Sequence, residues 1–221
     1  MHKNLNNLII IQNSVKAKFN NIKNLAKQPE IIAVSKTFPI SEILPLINYG
    51  HHHFGENKIQ EAIEKWTDIK NDFKKIKLHM IGNLQTNKVK YVIPLFDYIH
   101  SLDSLKLAEK ISNEQIKINK KLKIFIQVNI GNETQKNGIN IEELEIFYDK
   151  CKREFGLDII GLMCLPPRNY KSSNYFNLMK KLNEKIQLSE LSMGMSEDFL
   201  DAIDQGSTFL RIGSKIFGKR S

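Results

Sequence analysis

The sequence predicts a soluble, single-domain (β/α)8 barrel of the TIM-barrel class, with one extra helix at its N-terminus. Three observations carry this reading. Eight short apolar runs alternate with longer amphipathic segments, the pattern of parallel βα units. No Pro/Gly-rich linker or low-complexity stretch divides the 221 residues, so residues 1–221 read as one domain of ordinary barrel length. No GxGxxG follows the first strand, as an open dinucleotide-binding sheet would require.

The elements follow in order. Leu5, Leu8, Val15, Phe19, Ile22 and Ala26 recur at three, four or seven residues, which places them on one helical face. Pro29 ends that segment, because the residue before a proline disfavours the α region. Strands are expected over 31–35, 53–55, 78–81, 98–101, 123–129, 159–164, 191–193 and 208–212. Helices are expected over 41–48, 58–66, 105–118, 141–150, 175–186 and 197–204.

Bulk properties exclude several functions. No apolar run approaches the length of a membrane span, and the N-terminal residues lack a signal-peptide layout, so no membrane role is expected. Two cysteines, Cys151 and Cys164, have neither CxxC spacing nor the density of a disulfide framework, and a reducing, cytoplasmic setting fits. The formal charge of +9 invites a nucleic-acid reading, but the lysines are spread along the chain and gather where helices end. Lysine is favoured there by the helix macrodipole. No nucleic-acid partner is expected.

In a parallel barrel the chemistry gathers at the C-terminal strand ends. Lys36 follows the run Ile31-Ile-Ala-Val-Ser35. If Ile32 and Val34 point inward, the two-residue period turns Lys36 inward too. Desolvation should lower its pKa toward the neutral amine that attacks an aldehyde; the alternative is a rim lysine reaching water. At the last strand, Gly213 and Ser214 suit a phosphate site, with backbone close approach, an N–H and a hydroxyl. The preceding loop offers Ser196 as the matching half, or else as a helix N-cap. Arg211 alternates with Phe209, so both should face inward. An interior guanidinium needs a partner, either a bound heteroaromatic nitrogen or a carboxylate such as Glu56 or Asp103. His51-His52-His53 does not read as a metal site, since neighbours in a strand face opposite ways. No metal ligand set is expected. His79 reads as a hydrogen-bonded structural histidine, and Cys164 as a small core residue.

These residues carry a resemblance. Ala33-Val-Ser-Lys36-Thr, Phe54-Gly-Glu-Asn57…Gln60-Glu61, His79-Met-Ile-Gly82-Asn-Leu-Gln85-Thr-Asn87-Lys88, Gln127-Val-Asn129, Gly161-Leu-Met163, Leu191-Ser-Met-Gly-Met-Ser196 and Ala202-Ile…Gly206-Ser-Thr208…Arg211-Ile-Gly213…Ile-Phe-Gly218 run from about residue 31 to 218. They resemble the pyridoxal phosphate homeostasis proteins, the YggS/PROSC family, whose fold is like the N-terminal barrel of alanine racemase. The resemblance implies that pyridoxal 5′-phosphate (PLP) is the cofactor, held as an aldimine on Lys36. It implies that Ser196, Gly213 and Ser214 hold the phosphate, that Arg211 faces the pyridine nitrogen, and that Asn57 and His79 line the pocket near the ring. Ser214 stands where many relatives have Thr, which keeps the hydroxyl; Asn83 and Asn137 also depart from the usual residues.

An arginine cannot hand a proton to the ring nitrogen, so the pyridine stays neutral and is a weaker electron sink. Racemisation would need acid/base groups on both faces of the substrate carbon, one of which an extra β domain supplies in alanine racemase. The chain reads as too short to hold that domain. The expected function is therefore PLP carriage and homeostasis without catalytic residues, as a monomer that delivers PLP to apo PLP-dependent enzymes. The alternative is a low-activity PLP-dependent amino-acid racemase.

Overall fold

The computed structural model describes residues 2–22, 27–167 and 171–218. Among them eight strands run parallel: β1 (Glu30–Val34), β2 (His53–Glu56), β3 (Lys77–Met80), β4 (Tyr98–Leu102), β5 (Lys123–Val128), β6 (Asp158–Cys164), β7 (Glu190–Met195) and β8 (Phe209–Ile212). Each pairs with the next, and β8 pairs with β1 in the register Ile32↔Arg211, which closes the barrel. The two-residue period sorts the side chains. Ile32, Tyr98, Phe125, Met163 and Phe209 fill the barrel interior. Their sequence neighbours Ile31, Ala33, Leu210 and Ile212 join the larger apolar layer under the helices.

The helices are α1 (Lys3–Asn20), α2 (Ile40–Asn48), α3 (Ile59–Asp72), α4 (Val89–Leu95), α5 (Leu105–Ile118), α6 (Leu144–Arg153), α7 (Ser172–Lys185), α8 (Phe199–Asp204) and α9 (Ser214–Phe217). Helix α5 shows how local sequence sets the boundaries. Ser104 accepts at 3.3 Å from the Leu107 N–H at its start, and Asn119, at φ 49°, closes its end in the left-handed region. Helix α1 packs against α2, α8 and α9. Leu8, Ile11 and Val15 bury its inner face. The helix after β8 is only one turn long, so α1 takes the covering place a longer one would fill.

The structure departs from expectation most where helix α3 runs on to Asp72, past its expected end at 66, and at the following elements. Helix α1 ends at Asn20, short of Ile22, and Ala26 lies outside the described residues. Helix α4 was not legible in the sequence, because seven residues with Pro94 inside them are too short to show a helical period. Strand β7 continues to Met195 through Gly194, whose φ is +88°. A Cβ at Gly194 would lie 2.6 Å from the Ala202 Cβ, so glycine lets α8 sit on the strand end. Gly194→Ala should cost about 2 kcal/mol or more, from left-handed backbone strain plus overpacking. Urea unfolding checks this, and a change below about 0.5 kcal/mol would show that the loop simply shifts.

Candidate functional site

The strand ends open on a cavity of about 680 Å³. Its size suits a small cofactor. Lys36, Asn57, Ser196, Arg211, Gly213 and Ser214 all line it, drawn from the ends of β1, β2, β7 and β8. Six of the seven residues expected at the site therefore meet at one mouth. All six were expected at strand ends from the barrel rule and chain position alone; Asn57 follows β2 directly.

Lys36 is half-buried and follows β1 by way of Ser35. Its two neighbours are tied down. The Ser35 hydroxyl donates to Glu56 Oε1 at 2.7 Å, and the Ser35 carbonyl accepts from Lys65 Nζ at 2.9 Å. The Thr37 N–H donates to Glu61 Oε1 at 2.5 Å, with Thr37 at φ +70°. Glu56 is fully buried, and the same oxygen accepts from Lys65 Nζ at 2.9 Å and from the Trp66 indole at 3.0 Å. Lys65 Nζ also reaches Glu61 Oε1 at 2.9 Å. A left-handed non-glycine residue costs energy and persists only where its surroundings impose it. Here the partly exposed Glu61 carboxylate, itself held by the buried Lys65 ammonium, imposes it. The sequence reading did not find this clamp, although Glu56, Glu61, Lys65 and Trp66 lie within one strand end and three helical turns.

Arg211 is 5 % exposed. Its guanidinium donates to the Ser192 carbonyl and hydroxyl, both at 2.6 Å, and to the Cys164 carbonyl at 2.8 Å. The carboxylate partner considered for it is corrected: Glu56 serves Ser35, Lys65 and Trp66 instead, and no ion pair joins Arg211 to Asp103. Burial lowers the Arg211 pKa from its usual value, and the charge of Asp198 opposes that. The cation is thus held by neutral oxygens while its edge remains in the cavity wall.

His79 is also corrected. It is fully buried beneath the cavity and does not line it, because both ring nitrogens are engaged inside the barrel, by His53 and His100, each at 2.9 Å. It is the hydrogen-bonded structural histidine its strand position suggests. Of the histidine run, His53 points inward, while His51 packs edge-on against Phe54 and its Nε2–H donates to the His53 carbonyl at 2.9 Å. Among the described residues no group of His, Cys, Asp or Glu is arranged to hold a metal ion. Burial pushes the thiols of Cys151 and Cys164 up to about 12, which leaves both inert as nucleophiles.

Ser196 does not cap α8. The Met195 N–H donates to Asp198 Oδ1 at 2.7 Å, which closes that turn and starts α8 at Phe199. Ser196 Oγ instead accepts from the Lys215 N–H at 3.3 Å, joining the β7 loop to α9 beside Gly213 and Ser214. Asn57 Oδ1 is buried with no partner, an acceptor in the cavity wall. Placed in a cavity wall, such an acceptor suits a donor group of a bound ligand.

The donor set fits PLP. An amine, a cluster of serine and glycine at two strand ends, a buried cation and an unmatched amide oxygen share a cavity of suitable volume.

A closed parallel barrel with an amine after β1 and a phosphate-type rim after β7 and β8 defines a class: residues 10–221 match the family model "Alanine racemase, N-terminal domain". The chain is 36 % identical to the pyridoxal phosphate homeostasis protein of Aquifex aeolicus, over 90 % of this chain and 89 % of that one. The corresponding protein of Haemophilus influenzae is also 36 % identical, over 97 % and 95 %. PipY of Synechococcus elongatus, solved with PLP bound, superposes with a TM-score of 0.84 at 28 % identity, covering 97 % of this chain and all of that one. The chain belongs to the pyridoxal phosphate homeostasis protein family. The relatives carry the name of homeostasis proteins rather than of enzymes. Among the described residues no helix is long and apolar enough to cross a membrane.

Proposed function

We propose that this chain, acting as one domain, binds PLP in the cavity and holds it as a Schiff base on Lys36. In this role it keeps free aldehyde low in a reducing, cytoplasmic setting. The convergence of Lys36, Ser196, Arg211, Gly213 and Ser214 on one cavity carries the reading. Bound PLP supplies an aldehyde for the lysine and a ring that can accept electrons. The protein's own groups then do three things. Lys36, braced by Ser35 and Thr37, presents its amine; Ser196, Gly213 and Ser214 receive the phosphate; and Arg211 places a fixed charge that donates but does not exchange a proton.

Carriage fits this site better than catalysis. The described lining residues include no tyrosine or histidine to act opposite Lys36; the carboxylates there are Glu197 and Asp198, and Asp198 Oδ1 is engaged by the Met195 N–H. Release of PLP to apo PLP-dependent enzymes, from a monomer, completes the proposal. Borohydride treatment of PLP-loaded protein should fix one label, found on Lys36 by peptide mapping. Lys36→Ala should fold, lose the visible absorption of the Schiff base and take no label there. A label elsewhere in the wild-type protein would overturn the assignment. Amino-acid racemisation well above that of free PLP would favour the enzymatic alternative.

A further inference from the structure

A line of polar side chains runs through the barrel interior beneath the cavity. From Arg211 it passes to Ser192 Oγ at 2.6 Å, then to His100 Nδ1 at 2.8 Å. It continues from His100 Nε2 to His79 Nδ1 and from His79 Nε2 to His53 Nδ1, each at 2.9 Å. His53 Nε2 lies 3.9 Å from Glu30 Oε2 at the opposite end of the barrel. Ser192, His79 and His100 are fully buried.

The serine's proton sets the direction of the line, since a neutral chain of three imidazoles can run either way. Arg211 only donates, so Ser192 Oγ accepts from it. The acceptor placed for the serine's own proton is His100 Nδ1. His100 must then carry its proton on Nε2 and donate to His79, and His79 in turn to His53. Each imidazole points its electron-rich nitrogen toward the guanidinium and its N–H toward Glu30. Aligned dipoles of this kind reinforce one another in a low-dielectric interior. They also help balance a buried cation that has no carboxylate in hydrogen-bond contact and only the charge of Asp198 acting on it through space. Burial, followed by the Arg211 charge, holds His100 neutral, and burial followed by His100 does the same for His79. His53 faces Glu30, His79, Tyr98 and Phe209, with the charges of His52, Lys77, Asp97 and Lys123 also acting on it.

We propose that Ser192, His100, His79 and His53 are positioning residues, a single ordered donor line that orients Arg211 and balances its charge at the cavity. The proposal rests on the PLP reading for its consequence, namely that affinity and absorption of bound PLP depend on residues that never touch it.

The test uses the full chain labelled with ¹⁵N-histidine. Without PLP, nuclear magnetic resonance should show His53, His79 and His100 neutral and all in the Nε2–H form from pH 8 to 7. Adding PLP should shift the His100 and His79 signals. His100→Phe keeps the ring stacked on Phe125, whose centroid lies 4.3 Å away, but removes the acceptor. It should weaken PLP binding roughly tenfold and move the absorption band, as loss of one charge-coupled hydrogen bond predicts. His100→Asn, whose Oδ1 can stand in for Nδ1, should recover much of that loss. Should His100→Phe not fold, Ser192→Ala makes the same break. Mixed tautomers or an imidazolium at pH 7 would overturn the proposal, as would a folded His100→Phe or Ser192→Ala with wild-type affinity and spectrum. Failure of the wild-type protein to bind PLP would sink the functional reading instead, while the tautomers in the unloaded protein still decide the ordered line.

Discussion

Lowering the pH from 7.5 to about 5 should remove several kcal/mol of folding stability. Four histidines are buried as neutral rings: burial pushes His51 and His53 down to about 4, and His79 and His100 well below their ordinary value. In the unfolded chain each returns to about 6.5. Below that pH the unfolded state binds protons that the native state excludes, so the equilibrium moves toward unfolding. Each group contributes about 1.4 kcal/mol per pH unit. The stability is therefore intact above about pH 7. It falls through the window from 6.5 to 4, and below 4 the contribution of His51 and His53 to the fall levels off. Four such groups acting together rival the whole stability of an ordinary domain, about 5–15 kcal/mol. Urea midpoints at half-unit pH steps measure the slope. A stability flat between pH 7 and 5 would mean that the interior rings protonate in place, and would remove the basis for a neutral histidine line. Replacing His53 with Gln should reduce the slope by nearly one proton.

Lys65→Met should cost about 3–5 kcal/mol, because it leaves the buried Glu56 carboxylate without its cation. Lys65 is itself almost buried, at 8 % side-chain exposure, so solvent does little to screen the loss. For a chain of this size that corresponds to a drop of roughly 10 °C in Tm. The effect should extend to the cavity. Lys65 holds the Ser35 carbonyl and, through Glu61, the Thr37 N–H, so both neighbours of Lys36 lose a restraint. PLP capture by Lys36 should slow even where the variant remains folded. Glu61→Gln is the milder comparison, since Glu61 is 26 % exposed and its amide oxygen can still accept. Thermal melts and borohydride-fixed PLP measured on both variants separate the two effects. A loss below about 1 kcal/mol in Lys65→Met would show that Glu56 finds another partner.

Much of the barrel was legible because strand alternation is local. The run 31–35 and the pair Phe209 and Arg211 announce their inward faces by parity alone, and the interior cluster and closing register agree. Helix α5 matches its expected bounds of 105–118, with Ser104 and Asn119 found at its ends. Helix α4 and the last residues of β7 were not legible. Seven residues carry too little period, and a glycine at positive φ ends an apolar run without ending the strand.

The site divides in the same way. From residue order and alternation came the Lys36 amine, the rim of Ser196, Gly213 and Ser214, and the inward turn of Arg211, because each follows from chain position at a strand end. The partners of those groups were decided by tertiary structure. Whether Arg211 meets Glu56, Asp103 or Ser192 depends on how far each strand is staggered around the closed barrel, a quantity no local pattern encodes. Closure places Ser192 beside Arg211, sends Glu56 outward to Lys65 and Trp66, and lowers His79 from the cavity wall into the interior line. The sequence by itself determined the barrel and the kinds of group at its mouth. Only the closed barrel decided which of them touch, because contact across it is set by strand stagger and side-chain height rather than by spacing along the chain.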